Sequence, residues 1–159
     1  KFLSTFKDSG ESWYVHYLKA ELLERLTRTE ESLAEYAISH KNRPNRGEPL
    51  VRLFWHYYHA NEWEKAFSYA NKIKTLECPI EYDAWQVEID AYFENSWQLR
   101  DAVGVAHQRM GSEIKNKELL EESRGIFQEL EKKFADNDEK QLKRVRGNIK
   151  YIEDELNNL

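Results

Sequence analysis

One cysteine, three prolines, six glycines and one methionine in 159 residues withhold the raw material of several protein classes. A lone thiol, Cys78, cannot close an internal disulfide, which excludes a disulfide scaffold and fits a reducing compartment, cytoplasmic or nuclear. So few turn-forming residues cannot furnish a β-sandwich or barrel. No apolar run reaches membrane length, so no membrane partner is expected. GxxxxGKS/T, GxGxxG and GxSxG motifs are all missing, and with them the phosphate loop, the dinucleotide fingerprint and the nucleophile elbow. The chain begins at Lys1 rather than Met, and is expected to be excised from a longer protein.

What remains is rich in charge and in rings. Charged residues make 33 % and aromatics 13 % of the chain, a composition that folds in water. The formal net charge of −5 argues against a general nucleic-acid binder. Leu, Glu, Lys and Ala dominate, so the fold class is expected to be all-α.

A repeat organises the middle of the chain. "YHANEW" (58–63) returns as "YFENSW" (92–97), pairing Tyr58 with Tyr92, Asn61 with Asn95 and Trp63 with Trp97, each 34 residues apart. Helical stretches precede both copies, "EPLVRLFWHYY" (48–58) and "YDAWQVEIDAYF" (82–93). Asn suits the junction, leaving one helix in the left-handed region or capping the next. Trp63 or Trp97 then opens the second helix and wedges the elbow. Ala66 and Ala102 are small enough for close approach. After the turn, "EKAFSYA" (64–70) matches "RDAVGVA" (100–106) once Gln98 and Leu99 are treated as an insertion. Each unit reads as a helical hairpin.

The stretch "YYHANEWEKAFSYANKIKTLECP" (57–79) resembles the tetratricopeptide (TPR) repeat: a Tyr, a short polar turn, an aromatic, Glu-Lys-Ala, then Tyr and a closing Pro. Its 34-residue period is also that family's. The resemblance covers residues 48–110 and extends to 12–41 through "EESLAEYAISHK" (30–41). Two departures stand out: Phe54 and Glu88 replace the small residue of the first helix, and Pro79 falls one place late. "AWQVEIDAYFE" (84–94) is similar to the half-a-TPR (HAT) pattern of RNA-processing factors as well. The resemblance implies antiparallel hairpins stacked as a short α-solenoid over 1–111, followed by a C-terminal helical hairpin over 112–159.

It also implies a concave groove lined by the first helix of each pair. In register these positions are Val51, Trp55 and Tyr58. The strict offset gives Trp85, Ile89 and Tyr92, which read as core. One place later come Gln86, Asp90 and Phe93, a more groove-like mixture that the late Pro79 favours. Neither register supplies the Lys and Asn of a carboxylate clamp. Inter-repeat packing is the competing explanation, since apolar residues in helical phase usually face other helices.

At the N-terminus a helix is expected over 11–26, with Trp13, Tyr17, Leu18, Leu22 and Leu26 as one apolar stripe. "KNRPNRGEP" (41–49) is a connector. Toward the other end, Leu119, Leu120, Ile126, Phe127, Leu130 and Phe134 share a helical face. Leu142, Val145, Ile149, Ile152 and Leu156 then recur at steps of three and four, a short heptad seam. It is expected either to pack back on the 116–134 helix or to meet a partner, self-association included.

Chemistry finds little support. His56, His59 and Glu62 are neighbours on a helix, but no second His/Cys cluster completes a metal set. Cys78 has no Gly-rich neighbour to build an oxyanion hole. No cofactor is expected, and no enzyme. "KQLKRVRGNIK" (140–150) could meet phosphate through Lys140, Lys143, Arg144, Arg146 and Lys150, yet it lacks interleaved aromatics and complements the acidic 118–131 helix. The functional expectation is a protein-interaction scaffold, a domain or subunit of a larger assembly that binds a partner peptide or helix. The alternative is a HAT-like subunit of an RNA-processing or transcription complex that touches nucleic acid through 140–150.

Overall fold

The computed structural model describes residues 12–76, 97–136 and 138–159. Seven α-helices lie within them: α1 Ser12–Arg25, α2 Thr29–Asn42, α3 Glu48–His59, α4 Trp63–Lys74, α5 Trp97–Glu113, α6 Lys117–Phe134 and α7 Glu139–Asn157. The chain divides into two compact units, 1–80 and 81–159. Consecutive helices pack in pairs: α1 on α2, α2 on α3 and α3 on α4 in the first unit, α5 on α6 and α6 on α7 in the second. None of the described helices is long and apolar enough to cross a membrane.

The hairpin elbows share one construction. Thr27, Asn61 and Lys115 have positive φ, at 59°, 58° and 51°. Each is followed by a backbone amide that reaches five residues back: Arg28 N–H to the Leu23 carbonyl (2.9 Å), Glu62 to Tyr57 (3.0 Å) and Asn116 to Gly111 (2.8 Å). This is the left-handed helix terminus that satisfies otherwise stranded carbonyls. Asn61 tolerates that conformation, as its sequence predicts. Thr27 is β-branched, a residue type for which positive φ is uncommon. Thr27 and Asn61 are 34 residues apart, so the elbow period reaches back into the first hairpin.

Unit one is tied by polar bonds to backbone. The Ser32 hydroxyl donates to the Ala20 carbonyl (2.9 Å) and the Ser39 hydroxyl to that of Trp13 (2.7 Å), so small residues of α2 bind α1 directly. Both serines are buried, beside a core of Ala20, Tyr36 and Leu53. The Tyr36 hydroxyl donates to Glu24 (2.8 Å), and burial with that carboxylate pushes the phenol far above its usual range. The connector after α2 is no loose loop: Arg46 is 2 % exposed, its guanidinium lies 4.3 Å over the Trp13 ring, and it pairs with Glu48 at 3.2 Å.

Unit two is closed mainly by shape, with one bond of the same kind from the buried Ser123 hydroxyl to the Gly104 carbonyl (2.8 Å). A Cβ at Gly111 would stand 2.9 Å from Leu120 Cγ, and one at Gly104 would stand 3.1 Å from the Phe127 ring. Those two glycines let α6 ride close on α5. Residues 111 and 112 both lie within α5. Leu120, Phe127, Leu130, Phe134, Val145 and Ile152 form one buried cluster across α6 and α7. Asn116 and Asp138 cap α6 and α7 by accepting from the amides of Leu119 (3.1 Å) and Gln141 (3.0 Å). His107 is fully buried on α5; its Nδ1–H donates to the Val103 carbonyl (2.9 Å) and Nε2 faces Glu122 at 3.5 Å.

Candidate functional site

Helix α3 begins after Gly47 with Pro49 in its first turn, a position where the missing amide costs nothing. Leu50, Leu53 and Phe54 are buried and fix its inner face. That rotation sets Val51, Trp55 and Tyr58 together on one flank, all half-buried. Trp55 meets Tyr58 edge-on at 5.4 Å and lies stacked on His59 at 5.3 Å, with 16° between the planes. Tyr58 continues edge-on to Trp63 at 5.5 Å. The rings thus form a ladder from mid-helix to the elbow. Trp63 closes the turn as expected, held by the ring of the helix it follows.

The other flank carries a second pair. Tyr57 and Tyr69 lie parallel at 5.6 Å, joining α3 to α4. Lys65 sits 4.9 Å from the Tyr57 ring and Lys72 4.7 Å from that of Tyr69, contacts that tether ammonium groups by ring quadrupole attraction. Burial raises the Tyr69 phenol above its usual range, so that ring stays neutral at physiological pH.

Of the residues singled out from sequence, Val51, Trp55 and Tyr58 are brought together. Gln86, Asp90 and Phe93 lie outside the described residues, as do Cys78, Trp85, Ile89 and Tyr92. The seam residues of α7 face inward. Val145 and Ile152 are fully buried, and Leu142, Ile149 and Leu156 pack against the same cluster. Of the two fates the sequence left open for that row, the structure displays packing on α6. Two of the five cations in 140–150 are engaged within the unit, Arg144 with Asp101 (2.7 Å) and Arg146 with Glu131 (2.6 Å).

The α1 stripe requires correction. Trp13 is 5 % exposed and Tyr17 half-buried, whereas Leu18, Leu22 and Leu26 are 40 %, 59 % and 63 % exposed. The five residues do not form one face. Tyr17 turns to Tyr36 of α2 and Trp13 to Arg43 and Arg46 of the connector, while the leucines turn to solvent, joined by Tyr14 at 43 %. Sequence reasoning also missed the buried Arg46–Glu48 pair, because both looked like ordinary loop charges; "RPNRGEP", with an aromatic helix before it, was the available cue. Among the described residues, no group of three or more His, Cys, Asp or Glu side chains could hold a metal ion. No protein-family model, no curated protein and no solved structure matches this chain.

Proposed function

We propose that this chain is a TPR-like helical-repeat module that binds a peptide or helix of a protein partner and performs no catalysis. The observation that carries this reading is the ladder on α3, where Val51, Trp55 and Tyr58 occupy one flank and are neither fully buried nor fully exposed. Half-buried aromatics supply contact area at low entropic cost, which is why they serve as anchors in partner recognition. The common elbow and its 34-residue step between Thr27 and Asn61 support the repeat assignment. A lone cysteine supports a role inside the cell, in the cytoplasm or nucleus.

A photo-crosslinker at His59, exposed beside Trp55, tests the reading. A protein adduct from native extract that disappears with Trp55→Ala, in a chain whose helical signal and melting hold, is the expected result. An adduct indifferent to Trp55→Ala sinks it. A nuclease-sensitive adduct from a crosslinker placed at Lys143 favours the nucleic-acid alternative instead, which the engagement of Arg144 and Arg146 makes the weaker of the two.

A further inference from the structure

Where α2 runs into the connector, one imidazole sits where a proton is hard to accommodate. His40 is half-buried in the last turn of α2. Its ring is bonded to the backbone of Arg46, with Nε2–H donating to that carbonyl. The other nitrogen, Nδ1, is sealed from solvent and meets no hydrogen-bond partner. A neutral ring leaves one idle acceptor there. A protonated ring puts a charged N–H into the same sealed place and forfeits its hydration. The surroundings offer that charge no relief. Lys41 follows on α2, Arg43 and Arg46 lie in the connector, and Lys72 acts on the ring from α4. Helix α3 brings Glu48, which is paired with Arg46 at 3.2 Å. Helix α1 brings the uncharged Ser12 and Trp13, bonded to Asn42 and Ser39. Among the described residues, no carboxylate acts on the ring.

We propose that His40 is a proton-operated latch on the α2–α3 connector. Neutral, it holds residues 43–47 closed through the Arg46 carbonyl; protonated, it swings to solvent and lets them go. The half-buried ring has only a short way to move. What it holds is the residue whose guanidinium covers Trp13, so release of the latch uncovers the start of α1. The direction of the switch follows from the same contacts. Burial holds the imidazole below its ordinary pKa, and Lys72 pushes the same way against the bond to Arg46. A histidine depressed on folding lends its stability above the unfolded pKa and loses it as pH falls through the folded value. The connector is therefore closed above the ordinary imidazole range and loosens below it.

The latch is independent of the α3 reading, because its readout is an exchange rate and needs no partner. Amide hydrogen exchange of the full chain from about pH 8 to about pH 5 tests it, the span in which imidazoles titrate, with each rate divided by its intrinsic value. The Arg43 and Arg46 amides, bonded to the carbonyls of Ser39 (3.2 Å) and Arg43 (3.1 Å), are expected to lose protection as pH falls. The Glu62 amide in the α3–α4 elbow is expected to keep its own. His40→Gln retains an N–H donor without a titrating group and is expected to abolish the pH dependence. The ring resonances of His40 give a second reading that needs no variant. Their titration midpoint is expected to coincide with the loss of protection, and Lys72→Gln to move both toward the ordinary imidazole value. Protection that stays constant across the span, a loss that persists in His40→Gln, or a His40 midpoint that departs from the connector's overturns the proposal.

Discussion

Helices α1 and α7 carry nearly the same message in sequence and meet opposite fates. Each has large apolar residues at steps of three and four. In α7 the row Leu142, Val145, Ile149, Ile152 and Leu156 turns wholly inward onto α6. In α1 the apolar residues divide between both sides, and the outer set stays in solvent. The difference lies in what accompanies the row. The rest of α7 is polar or charged apart from Gly147 and Tyr151, so only one rotation buries carbon and hydrates charge. Along α1 apolar residues fall on two sides, with Ser12, His16, Lys19, Glu21, Glu24 and Arg25 among them, so hydrophobicity alone does not choose the rotation. Directed bonds choose it instead: Ser32 and Ser39 seize carbonyls on one side, and Arg46 covers Trp13 there.

Substitutions should therefore act differently in the two units. The largest effect is expected in unit two, where carbon packing dominates. Phe127→Ala, at a fully buried site, should cost about 3–5 kcal/mol in urea denaturation. Next comes a contrast between glycines. Gly111→Ala forces a Cβ against Leu120 and should lose about 1–2 kcal/mol, overpacking outweighing the gain in helix propensity. Gly147→Ala meets nothing within 4 Å and should gain about 1 kcal/mol. An equal response at the two positions would contradict the close approach of α5 and α6. In unit one, Ser39→Ala removes a buried donor without changing apolar volume and should cost about 1 kcal/mol, read from the same denaturation midpoint.

The smallest effect concerns pH. Burial alone would raise the Glu35 carboxyl, but hydrogen bonds from His16 (2.5 Å) and Lys19 outweigh it and hold the group below its ordinary value. A carboxyl depressed on folding stabilises the fold above its unfolded pKa and loses that contribution as pH falls through the folded value. The melting temperature of unit one should thus decline on acidification below the ordinary carboxylate range, and Glu35→Gln should flatten the decline. A wild-type and variant that fall in parallel would remove Glu35 as the cause.

How much was legible in advance follows the same division. The helical class, the elbow at Asn61, the Trp63 wedge and the apolar face of 116–134 could all be read, because each is a local pattern whose period or backbone preference is written in adjacent residues. The elbow at Thr27 could not, since nothing about threonine announces positive φ; tertiary packing of α1 on α2 imposes it. The outward leucines of α1 were grouped with Trp13 because an apolar residue carries no mark of which neighbour it faces. That Val51, Trp55 and Tyr58 share a flank of α3 follows from helical spacing, whereas a groove there is implied only by the resemblance to the TPR repeat.

The two serine hydroxyls have a consequence in time as well as in energy. They bind α2 to the main chain of α1, not to its side chains, so separating the pair means releasing backbone carbonyls into solvent. Opening of α1 alone is then disfavoured, and the two helices should exchange their amide hydrogens together as one cooperative block. Helix α7 is joined to its unit through side chains, by its apolar row and two arginine pairs, and can shed its last turns singly. A deuterium-labelling time course of this chain should accordingly record a single shared step over 12–42 and a graded one over 139–157.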